Sequence, residues 1–268
     1  MTTVQDLGRY GYQSQGFSVA GVMDVRSFKI ANLLLDNPEN EAVLEITLIG
    51  PTLEFTSATI IAITGGDFQP TINGEPAPMY TALYMNKGDV LKFGSARTGS
   101  RGYIAFSSYL DIPVVMGSRC TNLKSGLGGF KGRKLEADDY IGFRIKRRYL
   151  PFFLSRKLDM DEFDQTEATL RVVMGPQDGM FSKQGIQTFL GSEYTVTNEF
   201  DRMGCRLEGP FIAPKKTSDI ISDGIAFGAI QVPSHGKPII LLADRPGQRR
   251  RLPQPNDNPN ILIDLSGS

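Results

Sequence analysis

The chain has little that would mark it for metal, redox or nucleic-acid work. It carries a single histidine, His235, and two cysteines, Cys120 and Cys205, with no CxxC. A zinc site built from His and Cys is therefore excluded, as are acid–base schemes that need more than one imidazole. Two distant cysteines do not make a disulfide framework, so a reduced, cytoplasmic setting is expected. No basic n-region with an apolar h-region opens the chain, and no secretory signal is expected. No sign of charge is in surplus: 29 basic and 29 acidic side chains cancel. That balance argues against a nucleic-acid binder and against a polybasic membrane-surface protein. Long hydrophobic runs are absent too, since the longest, Pro238 to Ala243, meets Asp244 at once and a spanning helix needs about 18 apolar residues.

What is present is ordinary globular composition with much Gly (29) and Pro (16) among 268 residues, which favours a turn-rich β chain over a helix bundle. The length suits one large domain or two of about 130 residues. Short runs of Ile, Val, Tyr, Phe and Thr bounded by Gly, Pro, Asn or Asp read as strands. They lie at Val43–Leu48, Thr52–Phe55, Thr59–Ile63, Val90–Phe93, Tyr103–Phe106, Tyr140–Ile145, Leu170–Met174, Glu193–Val196, Cys205–Leu207, Ala226–Gln231 and Pro238–Leu242. Two helices are expected. One is capped by Asp24, runs to Leu35 with Phe28, Ala31 and Leu35 on its apolar face, and is limited by Pro38. The other runs from Asp178 to about Leu190, before Gly191.

The halves share a faint repeat. Gly50-Pro51 follows Leu44–Thr47, and Gly209-Pro210 follows Arg206–Glu208; each is preceded by a helix. Phe93-Gly94 stands before Ser100-Arg101-Gly102 at the same spacing as Phe227-Gly228 before Ser234-His235-Gly236. The expected organisation is a first β unit at 1–148, a connector at 149–167, a second and incomplete β unit at 168–245, and an atypical tail at 246–268. The connector follows Lys146-Arg147-Arg148, crosses an apolar patch at Tyr149–Leu154 that should pack on something, and ends in the acidic run Asp159–Asp164. The tail is basic and proline-rich, a composition that favours disorder. The second half lacks closing strands unless Ile261–Leu265 supplies one.

Common chemical signatures fail. Gly126–Lys134 is glycine-rich and basic but fits neither the Walker loop nor the dinucleotide fingerprint, and reads as a wide turn with solvated charges. Its functional reading is an anion-facing loop with Arg119, whose guanidinium fork suits a carboxylate or carboxy-phosphate. No Ser occupies a Gly-x-Ser-x-Gly elbow. His235 reads as a hairpin-tip residue, a place where most histidines do nothing special, and Cys205 reads as a small buried thiol. Polar groups do cluster at turns of the second half: Asp201-Arg202-Met203-Gly204, Gln231, and Asp244-Arg245. Such Asp-Arg ends can be structural ion pairs. If the three segments converge, they form a rim of amide, carboxylate and guanidinium suited to a small amide or urea-like substrate.

Several of these segments, taken in order, resemble the biotin-dependent carboxyltransferase family. They are Thr3-Val4-Gln5-Asp6-Leu7-Gly8-Arg9-Tyr10-Gly11-Tyr12, Ala20–Asp24, Leu44–Thr47 with Gly50–Leu53, Gly117–Thr121, Gly128–Arg133, Asp201–Gly204 and Gly228–Pro233. Members include the C subunit of 5-oxoprolinase, the Kip-inhibitor antagonist and the allophanate-hydrolase-subunit-2-type segment of urea carboxylase. The resemblance spans roughly residues 2–245. It implies a mainly β chain of two cyclophilin-like β-barrel subdomains with a few short helices. It also implies an ATP-hydrolysing complex with 5-oxoprolinase subunits A and B, the latter Kip-inhibitor-like, converting 5-oxo-L-proline to L-glutamate, with this chain inactive alone. ATP enters through that complex, and biotin is a cofactor of other members. Two alternatives come with it: a regulatory protein antagonising a Kip-type sensor-kinase inhibitor, and half of a carboxyltransferase acting on urea or a related amide. No biotin-attachment Met-Lys is seen, since Met174 and Met203 are followed by Gly. The ends depart from the family. Members usually begin with a further strand before the Thr-Val-Gln-Asp motif, and after Ala243-Asp244-Arg245 they continue Gln-Thr-Thr-Gly-Gly-Tyr, where Pro246–Arg251 stands here. A slip of reading frame is one expectation for that change.

Overall fold

The computed structural model describes residues 1–159, 171–215 and 226–245, together with the backbone of Asn260–Ile261. The chain is mainly β and divides into two units, Met1–Arg9 with Ala20–Thr166, and Tyr10–Val19 with Glu167–Ser268.

The first unit holds β1 (Thr2–Gln5), α1 (Val25–Leu34), β2 (Val43–Thr47), β3 (Thr52–Glu54), β4 (Thr59–Asp67), β5 (Thr71–Ile72), β6 (Glu75–Pro76), β7 (Ala82–Met85), β8 (Val90–Lys92) and β9 (Thr98–Phe106). Its strands form two antiparallel sheets, β1-β2-β9-β4-β7 and β3-β8-β5-β6. Ile, Leu and Phe from both sheets fill one core, in which Ile46, Ile61, Ile63, Ile104 and Phe68 are sealed from solvent. The other face of the larger sheet takes α1. Asp24 caps that helix by accepting from the Ser27 amide at 3.0 Å, and Phe28, Ala31 and Leu35 are buried on the side facing Ile60, Ala62 and Ala105. Burying such a phenylalanine contributes about 1.5–3 kcal/mol.

The second unit holds α2 (Lys183–Gly191), β10 (Thr195–Phe200), β11 (Gly204–Glu208), β12 (Ile230–Gln231), β13 (Ile239–Leu241) and β14 (Asn260–Ile261). Its sheet runs β10-β11-β13-β12-β14, all antiparallel. A small core of Phe181, Ile212, Ile230 and Val232 lies on one face, with Ile186 and Phe189 of α2 against it.

The repeat expected from the sequence has a counterpart in the sheet orders. β9 sits between β2 and β4 as β13 sits between β11 and β12. The Gly-Pro turns match in packing as well. A Cβ on Gly50 would lie 2.2 Å from that of Phe93, and one on Gly209 2.4 Å from the Tyr194 ring, so each glycine lets an aromatic side chain close over the turn. The outer partner differs in origin: β7 precedes β9 in the chain, whereas β14 follows β13 from within the proline-rich tail. Ile261 thus belongs to a strand, as its apolar run allows, while 262–265 lie outside the described residues.

Several expected elements differ. Tyr140–Ile145 forms no strand but only a bridge from Phe143 to Leu110. Leu170 lies outside the described residues, and 171–174 are irregular. The helix expected from Asp178 starts at Lys183, because Ser182 supplies the cap to the Gly185 amide at 2.9 Å; Asp178–Met180 is a separate 3-10 turn. β1 and β7 are not legible as strands from composition, and β9 begins five residues earlier than Tyr103. Of the apolar patch Tyr149–Leu154, Leu150 enters the α1 core, while Tyr149, Phe152 and Leu154 remain exposed. Arg156 fastens this stretch to the carbonyls of Leu33 and Leu34 at the end of α1.

Candidate functional site

The second unit's sheet has an open face opposite its core, and the strand register decides what lies on it. Side chains alternate across a strand. In β11, Cys205 is buried, while Gly204 and Arg206 turn to the other face. Arg206 pairs in register with Ile239, which pairs with Gln231, so the three form one row across β11, β13 and β12. That row borders a cleft of about 540 Å³ with an apolar floor of Ile239 and Leu241 and a polar wall of Glu199, Asp201, Arg206 and Gln231. Arg206 Nε lies 2.8 Å from Glu199 Oε2, an exposed pair. Asp201 Oδ1 accepts from the amides of Met203 (2.7 Å) and Gly204 (3.0 Å), which fixes the β10–β11 turn at the cleft mouth.

The structure therefore gathers two of the six sequence candidates, Asp201 and Gln231, at one cleft. Arg202 and Asp244 meet each other instead: Nε to Oδ2 is 3.1 Å and Nη2 to Oδ1 is 3.2 Å, with both side chains about 95% buried (5% and 6% exposed). Arg245 places its guanidinium 5.9 Å from the centre of the Phe227 ring, and burial lowers its pKa from the usual arginine value. Arg119 belongs to the first unit. Its Nε donates to Ile112 O at 3.0 Å and its amide to Asp6 Oδ2 at 2.6 Å.

That last contact explains why two of the family-like motifs go together. Asp6 also accepts from Ser118 Oγ at 2.7 Å, and the fully buried Arg9 donates to Val115 O and Cys120 O. The Thr3–Tyr12 motif thus holds the Gly117–Thr121 turn in place. In the glycine-rich loop, Arg133 is committed to Asp139 in a two-pronged pair (2.6 and 2.7 Å), which draws the Asp139 carboxyl down to about 2. His235 is exposed, its Nδ1 accepting from the Lys237 amide at 3.4 Å. Both cysteines are buried free thiols, and burial raises each pKa.

Sequence reasoning missed Glu199 and Arg206, which lie on strands whose facing is decided only by pairing. It also missed a buried polar group in the first unit. Tyr103 OH donates to Glu45 Oε2 at 2.9 Å and accepts from the Asp24 amide at 2.8 Å. Burial first, then the Glu45 carboxylate, push the Tyr103 phenol well above its usual range. The available signal was a glutamate inside the otherwise apolar run Val43–Ile46.

The fold and the site define a class: a mainly β protein of two antiparallel units, each carrying a helix and a Gly-Pro turn, with a polar cleft on one sheet. Comparison with known proteins gives the family. The family described as carboxyltransferase domain, subdomain A and B, matches residues 15–248, and the chain belongs to it. It is 33% identical to the C subunit of 5-oxoprolinase from Escherichia coli (strain K12) over 247 residues, 91% of this chain and 77% of that one. Among solved structures it is similar to the Kluyveromyces lactis urea amidolyase (TM-score 0.81, 27% identity), covering 97% of this chain and 17% of that one. It is also similar to TTHA0988 (TM-score 0.83, 27% identity), covering 99% of this chain and 50% of that one. The chain thus spans half or less of both structural relatives. Among the described residues no helix is long and apolar enough to cross a membrane.

Proposed function

We propose that this chain is the C subunit of an ATP-dependent 5-oxoprolinase, hydrolysing 5-oxo-L-proline to L-glutamate together with subunits A and B. The observation that carries this reading is coverage: the likeness to the 5-oxoprolinase chain fills 91% of this chain and 77% of the relative, whereas that to the urea amidolyase fills only 17% of a much longer chain. ATP would act through the assembled complex.

The second unit's cleft supports an amide substrate. Amide resonance protects a lactam carbonyl, so the groups around it must orient it and polarise it. The Gln231 side-chain amide both donates and accepts, which suits the paired C=O and N–H of a lactam. Asp201 is spent on its own turn, so its part is to position the β10–β11 corner. Glu199 and Arg206 offer a carboxylate and a guanidinium at the same wall.

Co-expression with subunits A and B and an assay of ATP-dependent glutamate release tests the reading. Turnover that requires all three chains is expected, with Gln231→Ala lowering kcat/KM by roughly tenfold, the loss of one neutral hydrogen bond. Soluble complex without turnover in any combination would overturn it. The likeness to a urea amidolyase favours one second reading, a carboxyltransferase half serving urea or a related amide with biotin on a separate carrier. Carboxyl transfer from a carboxybiotin carrier, with no glutamate release, is its outcome in the same assay.

A further inference from the structure

A second recess, of about 260 Å³, opens in the first unit where α1 begins. Its wall comes from Asp24 and Ser27 at the helix start, Gly65 and Gly66 at the end of β4, and Thr98 and Arg101 at the start of β9. The β4–β9 ladder is regular as far as Gly65 opposite Gly102 and resumes at Asp67 opposite Thr98, so Gly66 stands against a bulged stretch of β9. A Cβ on Gly66 would come within 2.4 Å of Thr98 O, and one on Gly65, held at φ +90°, within 2.4 Å of Arg101 O. This side of the recess is therefore bare backbone, open to a ligand's close approach. Tyr80 OH clasps the bend, accepting from Gly65 N at 2.9 Å and donating to Gly65 O at 3.0 Å.

Charge of both signs reaches the recess. Arg101 precedes Tyr103 by two residues on a regular stretch of β9, paired with Thr47 as Tyr103 is with Glu45, and so points to the same face. That face is the one on which Tyr103 OH meets the Asp24 amide. The Arg101 side chain is only 7% exposed, a cation held in a low-dielectric wall. Asp24 uses Oδ1 to cap Ser27 and has a second oxygen to offer. The volume equals about nine waters at ~30 Å³ each, too little for a nucleotide. A guanidinium beside a carboxylate disfavours a phosphate dianion, which Asp24 would repel, and favours a ligand that complements both.

We propose that this recess binds a small amino-acid-like molecule with a carboxylate next to an N–H donor, Arg101 taking the carboxylate and Asp24 the N–H. An α-amino acid and a lactam acid share that chemistry. The inference does not rest on the proposed turnover, because binding is read on the isolated full-length chain without partners or ATP.

Calorimetric titration with L-glutamate, glycine and 5-oxo-L-proline tests it and separates the sources, with acetate as the carboxylate-only probe and 2-pyrrolidinone as the N–H-only probe. At least one of the first three is expected to bind roughly tenfold or more tighter than either single-group probe. Arg101→Met should weaken that ligand by a similar factor, and Asp24→Asn, which keeps the helix cap, should erase its advantage over acetate. Amide shifts of Gly65, Gly66 and Gly99 in the unaltered protein give a readout that survives if a variant fails to fold. No binding by any of the three, equal affinity for acetate, or shifts confined elsewhere would overturn the proposal.

Discussion

Arg202 and Asp244, 42 residues apart in sequence, close on each other through two parallel hydrogen bonds inside the second unit. Each stands at the end of a segment that reads like an exposed turn, and each is buried. The Asp244 amide also donates to Arg202 O at 2.7 Å, so the pair locks the end of β13 to the β10–β11 corner that shapes the cleft. Removing one partner leaves a charge stranded in the interior. Asp244→Ala should therefore destabilise by about 3–5 kcal/mol, whereas the double change Arg202→Met with Asp244→Leu should cost much less. Urea unfolding of the three proteins checks this; similar losses in both variants would show that the charges are not the cause.

Gly65 is a second sensitive point. Its positive φ and its 2.4 Å clearance to Arg101 O leave no place for a methyl group. Gly65→Ala is expected to cost about 1–3 kcal/mol of strain. The thermal midpoint should fall, and the Tyr80 hydroxyl clasp should loosen, seen as faster hydrogen exchange at the backbone amide of position 65.

Tyr103 sets an alkaline limit. Its folded-state pKa is raised by burial and by Glu45, so the stabilisation it carries is complete below the ordinary phenol value of 10.0 and is lost as pH rises beyond it. Stability should drop above pH 10, with a steeper slope than in Tyr103→Phe. The Phe variant loses two hydrogen bonds and is expected to be weaker near neutrality by about 1–3 kcal/mol. Parallel slopes for the two proteins would refute the assignment.

On the acid side, Asp139 is held at about 2 by Arg133. Its contribution is present above the ordinary value of 3.8 and fades as pH falls towards 2. Arg133→Gln should return the carboxyl towards that ordinary value, read directly by NMR titration of the Asp139 carboxyl carbon.

Much of the architecture was legible because it rests on local chemistry. Asp24 before an apolar stripe gives a capped helix wherever the stripe finds a face. The strands richest in Ile and Val, β2 and β4, announced themselves by composition. Thr2–Gln5 did not: its polar side chains suit a strand only because Thr121 O and the neighbouring Thr3 hydroxyl satisfy Gln5. The stretch Thr98–Gly102 reads as a loop by its glycines, yet it pairs along β4 and β2. Conversely, Tyr140–Ile145 has strand composition and no ladder to join beyond one bridge.

The sequence by itself determined a β-rich chain of two related halves, the lack of thiol–imidazole metal chemistry, and the places where turns and helix caps must fall. These depend on residues a few positions apart. Which polar groups meet was decided by the tertiary structure alone. Asp201 and Gln231 share a cleft, Arg202 turns inward to Asp244, and Arg101 and Asp24 border one recess. Strand register and facing are set by pairing between distant segments, and a one-residue slip would send every side chain to the opposite face.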